Sequence, residues 1–154
     1  MKRIFSNTLK SFLYVLLAFS IIINCSNVSY AASAKNQANQ MSQYINKNAA
    51  SLWGSDGREY KFSVSRRKSD GHYVYTVTAK APYTKKTFMA ITIYDSRRYM
   101  RTIGNVESLS QRLYKTDKKT YKLKSPVVYV QLKAKNGALL YKAKNGKYFY
   151  HIEY

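Results

Sequence analysis

Cysteine and histidine are nearly missing from this sequence, and their scarcity excludes several kinds of site. The 154 residues include one cysteine, Cys25, and two histidines. A disulfide framework needs cysteine pairs, and the usual zinc sites need three or four closely spaced ligands. We therefore expect no disulfide, no metal ion and no other small-molecule cofactor. The fold must then be held by its hydrophobic core.

Acidic residues are scarce as well, which narrows the enzyme classes. Seven aspartates and glutamates accompany 27 lysines and arginines. No two of the carboxylates adjoin along a predicted strand face, so the sequence does not indicate an acid/base pair for hydrolysis. It also contains no glycine-rich phosphate loop and no Gly-x-Ser-x-Gly elbow. These absences favour a non-enzymatic protein without catalytic residues.

The two histidines leave one enzymatic alternative open. His72 and His151 are the only side chains whose ordinary pKa lies near neutral pH. A small metal-independent ribonuclease can work with two general acid/base groups and a cation that stabilises the developing charge. The competing interpretation, which we favour, is that they are two ordinary, half-exposed strand residues.

Residues 1–34 have the pattern of an export signal. Basic residues precede an apolar run from Phe12 to Ile23, and Ala32-Ser33-Ala34 fits a signal-peptidase site, with Ser29-Tyr30-Ala31 as an earlier alternative. An uncleaved membrane anchor is the other interpretation, but the run is shorter than the ~20 residues that span a bilayer. We expect a secreted, extracellular bacterial protein, which an anionic wall polymer would retain at the cell wall.

Net positive charge is the most unusual feature of the remaining chain. Three of the 27 basic residues precede residue 35 and none of the seven acidic ones do, so the cleaved chain carries 24 against seven, a net charge of +17. Such an excess costs stability through self-repulsion and predicts an anionic partner. Charge that serves only solubility or the protection of exposed strands normally comes with both signs.

Residues 35–54 predict a short amphipathic helix. The segment is polar, with apolar residues that include Met41, Ile45, Ala49 and Trp53 at helical spacing, and Gly54 follows as a plausible end. This stripe is expected to bury Trp53 against a sheet. A helix lying on a membrane surface is the alternative, but its polar face has few lysines.

The stretch from Pro126 to Tyr154 predicts a three-stranded meander. It contains Asn136-Gly137 and Asn145-Gly146, and Asn-Gly tolerates the positive φ angles of a two-residue type I′ turn. The resulting register separates an apolar face from a basic one, as a half-buried sheet requires. The apolar face is predicted to hold Val128, Val130, Leu132, Ala134, Leu139, Tyr141, Ala143, Tyr148, Tyr150 and Ile152. The basic face is predicted to hold Tyr129, Gln131, Lys133, Lys135, Leu140, Lys142, Lys144, Lys147, Phe149 and His151.

Alternation of apolar and polar residues upstream of the meander predicts further strands. The predicted strands cover residues 60–65 and 73–79, a central strand from Thr87 to Asp95, one at 97–103 and a weaker one at 112–124, with a loop over 104–111. Residues 55–154 are therefore expected to form an all-β, mainly antiparallel domain. An Ig-like β-sandwich of about seven or eight short strands is favoured, with a small β-barrel as the alternative.

The basic face of the meander supplies the candidate binding site. Lys142 is predicted to face Phe149. Lys144 is predicted to face Lys147 directly, an arrangement that destabilises a ladder unless water or an anion separates the charges. Aromatic side chains among lysines can stack on ligand rings or make cation–π contacts. The candidate anion-binding residues are Lys133, Lys135, Lys142, Lys144, Lys147, Arg97, Arg98 and Arg101, with Tyr129 and Phe149 as aromatic contacts.

The sequence thus predicts a secreted, non-enzymatic β-domain that binds an anionic cell-envelope polymer or surface. The expected partners are a wall polymer, an anionic lipid or a nucleic acid, and damage to a competitor's envelope would make the protein antibacterial. Besides the ribonuclease, a third class is a binder or inhibitor of another secreted protein, in which the loop from Ala79 to Thr87 inserts into the partner.

Overall fold

A computed structural model of the chain describes residues 33–121 and 123–151, without the side chain of His151. The chain divides into two units, Met1–Asn36 and Gln37–Tyr154, and apart from the first residues of one helix the described elements belong to the second. The predicted export signal lies outside the described residues except for residues 33 and 34, and so does Ile152 of the meander.

The described residues form three α-helices and one five-stranded sheet. Helix α1 covers residues 33–53. It is followed by β1 (Lys61–Ser69), β2 (His72–Lys80), α2 (Lys85–Tyr94), α3 (Ser96–Thr116), β3 (Val127–Lys133), β4 (Leu139–Lys144) and β5 (Lys147–His151). A short 3-10 turn, Gly57–Glu59, precedes β1, and one π-helical turn, Asp117–Tyr121, follows α3. None of the described helices is both long and apolar enough to cross a membrane.

The strands lie in the sheet in their sequence order, from β1 at one edge to β5 at the other. Neighbours are antiparallel except β2 and β3, which are parallel. Parallel neighbours need a long crossover, because the chain must return to the same end of the sheet before the second strand begins. Helices α2 and α3 make up this crossover.

The core lies between the helices and one face of the sheet. In α1, Ala38, Met41, Ile45, Ala49 and Trp53 recur every three or four residues, and all are at most 2% exposed. The indole of Trp53 packs on the rings of Tyr60 and Phe62, with centroids 4.8 Å and 5.5 Å away. The segment expected to form an amphipathic helix is thus helical, and its apolar stripe faces the sheet.

Helix α3 covers the other half of the same sheet face. Its buried Val106, Leu109 and Leu113 follow helical spacing. Ser110 Oγ donates to the carbonyl of Val128 at 2.9 Å and accepts from the N–H of Gly146 at 3.1 Å, so the helix is tied to β3 and to the β4–β5 turn. The hydroxyl of Tyr141 donates to Glu107.

The predicted β-sandwich and its barrel alternative are wrong, because the structure is an α+β fold with one mixed sheet. The expected central strand from Thr87 to Asp95 is helix α2. Its N-terminus is capped by Thr84, whose hydroxyl accepts from the N–H of Thr87 at 3.2 Å. A run that is apolar on both sides suits a buried strand and a buried helix equally well.

The other two upstream strands and the loop between them are also helical. Helix α3 includes residues 97–103, the predicted loop at 104–111 and the first residues of 112–124. The π-helical turn and a short connection to β3 follow it. Asp95 caps α3, since its carboxylate accepts from the N–H of Arg98 at 2.9 Å. Residues 55–154 are therefore not an antiparallel β domain.

The meander has most of its predicted register, with two corrections. Of its two Asn-Gly pairs, Asn145-Gly146 has positive φ at both residues, whereas in Asn136-Gly137 only the glycine does. Val130 pairs with Ala143, and Leu132 pairs with Tyr141, as expected. An irregularity after Leu132 then sets Lys133 opposite Leu139, and Leu140, which was expected to face outward, is fully buried.

The second correction concerns β5. Asn145 and Gly146 both have positive φ, 51° and 85°, as a type I′ turn requires, and Lys144 pairs with Lys147. A register shift beyond Ala143 sets Lys142 opposite Tyr150 instead of Phe149. Tyr148 and Tyr150, predicted to face the core, are 61% and 40% exposed.

Candidate anion-binding face of the sheet

The sheet face opposite the helices, called the open face below, is polar and basic. Its side chains alternate along the strands with those of the core, and none of the described helices packs on it. The strand register places Ser63, Ser65, Thr76, Thr78, Tyr129 and Gln131 at its centre. Its basic residues are Lys61, Arg67, Lys80, Lys133, Lys142, Lys144 and Lys147.

Lys142 contacts two aromatic rings on the open face. Its ammonium is 4.1 Å from the ring centroid of Tyr129 and 4.9 Å from that of Phe149. The two rings meet edge to face, with centroids 5.3 Å apart. Cation–π attraction at these distances stabilises the ammonium where it stands, so the charge is held at a defined place.

Electrostatic repulsion acts on the same ammonium. Partial burial lowers the pKa of Lys142, and the charges of Arg67 and Lys133 lower it further. A lowered pKa in a cation means that its surroundings disfavour the positive charge. An anion bound beside Lys142, Arg67 and Lys133 would therefore relieve an unfavourable interaction that the free protein carries.

Lysines also stand side by side across neighbouring strands. Lys61 pairs with Lys80, and Lys80 pairs with Lys133, which forms a row of three lysines over β1, β2 and β3. Lys144 pairs with Lys147 at the far edge. Like charges directly opposite each other destabilise a ladder. Such pairs at both ends of the face are costly in the absence of a ligand.

Carboxylates do little to balance this charge. Among the described residues one ion pair is present, between Arg98 and Glu59 at 3.7 Å, and both side chains are exposed. Glu59 also lines a cleft of about 330 Å³ with Lys61, Lys80 and Lys135 at one end of the sheet. None of the described carboxylates forms an ion pair with a basic residue of the open face.

The predicted binding residues fall into two groups in the structure. Lys133, Lys142, Lys144 and Lys147 come together on the open face, with Tyr129 and Phe149 between them. Lys135 lies in the β3–β4 turn, where its N–H donates to the carbonyl of Tyr83 at 2.8 Å. The arginines expected in the same set, Arg97, Arg98 and Arg101, are on the first turns of α3, on the other side of the sheet.

The two histidines of the ribonuclease alternative are not neighbours. His72 begins β2, and its Nδ1 lies 3.3 Å from the carbonyl oxygen of Lys124. The backbone of His151 pairs with Tyr141, which aligns through Leu132 with Ala79, at the other end of β2. Seven residues of strand separate these levels, about 23 Å at ~3.3 Å per residue. The backbone positions thus give no two-histidine site, and the described residues contain no cluster of three metal-ligating side chains.

The loop of the protein-inhibitor alternative is packed against the body of the protein. Ala81 is 2% exposed, and the ring of Tyr83 stacks on Phe88 with centroids 6.1 Å apart. The hydroxyl of Tyr83 lies 3.3 Å from that of Tyr60. Pro82 and residues 84–87 are exposed, so the segment is anchored at Ala81 and Tyr83 and is accessible elsewhere.

Two residues with marked electrostatics were not among the predicted ones. Arg67 lies between the predicted strands at 60–65 and 73–79, but β1 continues to Ser69 and places Arg67 on the open face. The turn signal at Asp70-Gly71, where both residues have positive φ, could have identified the longer strand. Asp117, in the π-helical turn, is fully buried, and neither carboxylate oxygen has a hydrogen-bond partner among the described residues.

Burial raises the pKa of Asp117 to about 7. The hydroxyl of Tyr75 is likewise buried without a partner, and the charge of Asp117 contributes to a raised pKa of Tyr75. Nothing in the sequence indicated this burial, because Asp117 is a single aspartate in a lysine-rich stretch. Because Asp117 belongs to the core side of the sheet, it has no part in the open face.

The chain matches no protein-family model, and searches of curated proteins and of solved structures each found no match. The function therefore has to be inferred from the surface chemistry. Among the described surfaces, the open face combines the most basic residues with aromatic contacts and the least compensation by carboxylates.

Proposed function

We propose that the protein is a secreted, non-enzymatic module that binds an anionic polymer of the bacterial cell envelope through the open face. The observation that carries this proposal is the setting of Lys142. Its ammonium is held over Tyr129 and Phe149, while partial burial and then the charges of Arg67 and Lys133 lower its pKa. No described carboxylate pairs with it, so an anionic ligand is the group that would balance the charge.

The arrangement favours a polymer over a single small anion. Five strands spaced ~4.8 Å apart give a surface about 20 Å wide, with basic residues at both edges and near the centre. Most of these are lysines, which act as point charges and do not impose the bidentate geometry of an arginine. Several phosphates of one chain would contact the face at once, and release of their counterions would drive binding.

Two features support an envelope polymer over the other anions. The centre of the face is made of hydroxyls and the amide of Gln131, which donates to Thr78 at 2.7 Å, and such a surface suits a hydrated chain better than a bilayer interior. The rings of Tyr129 and Phe149 carry the ammonium of Lys142, so they offer nucleobases a poorer stacking surface. The expected export brings the protein to this class of polymer.

The proposal is tested by measuring how the protein binds isolated Gram-positive walls over a range of salt concentrations. Walls that keep their anionic polymers should retain it, with affinity falling log-linearly with salt, and stripped walls should not. RNA serves as a control polyanion. No retention by intact walls at moderate salt, or equal retention after stripping, would overturn the proposal, and tighter binding to RNA would redirect it to nucleic acid.

A pair of variants assigns the binding to the open face. Lys142→Ala should weaken wall binding about fivefold, since one lysine near an anionic surface contributes ~1 kcal/mol, and should reduce the salt slope by about one. The matched control is Lys86→Ala, which removes the same charge from an exposed position on α2. Equal effects of the two variants would mean that net charge, and not this face, determines binding.

A further inference from the structure

A cleft lies where the β4–β5 hairpin meets α3. Its volume is about 500 Å³, and its lining consists of Tyr114, Lys144, Asn145, Lys147, Tyr148 and Phe149. Small-molecule sites have volumes of roughly 300–1,000 Å³ and combine aromatic walls with a few polar groups. The cleft has this composition, and its volume suits one monomer unit of a polymer. It lies at the edge of the open face.

The hairpin that forms the cleft is held firmly in place. Asn145 exchanges two hydrogen bonds with Val128, since its Oδ1 accepts from the Val128 N–H at 2.8 Å and its N–H donates to the Val128 carbonyl at 2.9 Å. Gly146 fits so closely against α3 that an added Cβ would stand 2.6 Å from Cβ of Gln111. The side chains flanking the turn are therefore presented at fixed positions.

Two of these side chains, Lys144 and Lys147, are cations that line the cleft, and the Lys144 ammonium lies 5.8 Å from the ring centroid of Tyr129. Lys144 and Lys147 are directly paired across the turn, and a type I′ turn that is anchored to α3 prevents them from moving apart by a register slip. Among the described residues, neither pairs with a carboxylate. A phosphate between the two ammonium groups would accept a charge-assisted hydrogen bond from each and remove their repulsion.

The neighbouring aromatic side chain is open to a ligand. Tyr148 is 61% exposed, and its ring is supported by Tyr141 at a centroid distance of 6.0 Å. No described cation lies over the ring of Tyr148, in contrast to Tyr129 and Phe149, which carry Lys142. The negative face of an aromatic ring attracts positively polarised hydrogens, and the C–H face of a sugar ring presents such hydrogens.

We infer that this cleft binds a sugar phosphate unit, with the phosphate between Lys144 and Lys147 and the sugar ring against Tyr148. The amide nitrogen of Asn145 supplies a donor for a sugar hydroxyl at the cleft wall. The inference rests on the proposed function, because it specifies the repeating unit of the polymer as a glycosyl phosphate. A nucleobase is less suited, since bases in such sites stack between two side chains and Tyr148 presents one exposed ring.

The inference is tested by NMR titration of the protein with small ligands that represent the whole sugar phosphate, its phosphate alone or its sugar alone, and with a nucleotide for comparison. The probes are α-D-glucose 1-phosphate, inorganic phosphate, methyl α-D-glucoside and adenosine monophosphate. Glucose 1-phosphate should bind roughly tenfold tighter than either inorganic phosphate or the glucoside, because each half adds contacts worth about a factor of ten. Affinity no higher than that for phosphate alone would overturn the inference, and so would tighter binding of the nucleotide.

Variants separate the two halves of the proposed site. Tyr148→Ala should reduce glucose 1-phosphate affinity about tenfold and leave phosphate affinity unchanged, whereas Lys147→Ala should weaken both. Tyr148→Phe, which keeps the ring, should bind like the parent protein. The matched control is Tyr94→Ala, another exposed tyrosine, 86% exposed at the end of α2. Unchanged glucose 1-phosphate binding by Tyr148→Ala would overturn the inference.

A sugar-free poly(glycerol phosphate) chain distinguishes failure of the cleft from failure of the proposed function. If this polymer binds with a steep salt dependence while glucose 1-phosphate binds no tighter than phosphate, the cleft has no role and the open face remains a polyanion site. If neither the polymer nor the sugar phosphate binds, both proposals fail.

Discussion

The two faces of the sheet are built from the same five strands and carry opposite chemistry. Residues that point to the helices, such as Val130 and Leu132, are fully buried. Their neighbours Tyr129, Gln131 and Lys133 lie on the open face among lysines that repel one another. One face gains stability from burial, whereas the other gives up stability by crowding charges. This division supports the proposal that the open face binds a ligand.

Each side of the sheet also contains one ionisable group in surroundings that disfavour its charge, a lysine on the open face and an aspartate on the helix side. On the open face, a lysine has a lowered pKa because it is partly buried and close to other cations. On the helix side, Asp117 has a pKa raised to about 7 because it is buried without a partner. The lysine lies where a ligand can reach it and correct the imbalance. Asp117 is fully buried, so we expect its raised pKa to affect stability and not ligand binding.

The largest expected effect comes from replacing, one at a time, two residues that are adjacent in β3 but whose side chains point to opposite faces. Leu132→Ala should lower the free energy of unfolding by about 2–5 kcal/mol, because it leaves a cavity in the core. Gln131→Ala removes one hydrogen bond, to Thr78, and should cost about 1 kcal/mol or less. Urea denaturation of the two variants provides the comparison. Equal losses would show that the open face is part of the stabilising core.

Asp117 should produce the next largest effect, and its sign is fixed by the direction of the pKa shift. Burial raises the pKa of the folded state to about 7 from an ordinary value of 3.8. The folded protein therefore binds the proton more tightly than the unfolded chain. This group adds no penalty below pH ~4, and stability is lost as the pH rises from there through 7, by at most about 4 kcal/mol.

Asp117→Asn should abolish this dependence. The variant is expected to be more stable than the parent at pH 8 by about 2 kcal/mol or more, and nearly equal to it at pH 4. Tyr75 and Tyr121, whose pKa values are raised by burial and further by neighbouring groups that include Asp117, remain neutral over this range. Asp70→Asn, in the exposed β1–β2 turn, is the control and should leave the pH profile unchanged. A parent protein whose stability does not fall between pH 5 and 8 would contradict the assignment.

The contrast between the meander and the crossover shows which parts of the fold the sequence specifies locally. Asn145-Gly146 predicts its turn because few other residue pairs tolerate two positive φ angles, and one turn then determines the pairing of Lys144 with Lys147. Leu140 was misassigned because the irregularity after Leu132 adds a residue that alternation cannot reveal.

The crossover helices could not be identified by the same reasoning. Helix α2 is rich in β-branched residues, which favour strands locally, but its Phe88 is buried against Tyr83 and Tyr99. In α3, short windows of alternation concealed the helical spacing of Val106, Leu109 and Leu113. Tertiary packing overrides local preference in both helices. The parallel pairing of β2 with β3 depends on this crossover, so it was missed as well.

The candidate site follows the same division. The structure brings the side chains of Tyr129, Lys142 and Phe149 together, although a register shift sets Lys142 opposite Tyr150. Arg67 comes from β1, and its proximity to Lys142 depends on the parallel pairing between β2 and β3. Arg97, Arg98 and Arg101 were grouped with the site as a cluster of basic residues, and their position in α3 separates them from the open face.

The smallest expected effect concerns the repulsion that distinguishes the open face from the core. If the lysine pairs on this face destabilise the free protein, raising sodium chloride from 50 mM to 500 mM should screen them and increase the melting temperature by a few degrees, since the Debye length falls below ~5 Å. Calorimetry at fixed pH measures the shift. Lys80→Gln removes the central charge of the row formed with Lys61 and Lys133. That variant should be slightly more stable than the parent at low salt and respond less to added salt, whereas Lys86→Gln on α2 should respond like the parent. If salt lowers the melting temperature, or if the two variants respond alike, the open face carries no particular strain and the two faces differ only in hydrophobicity.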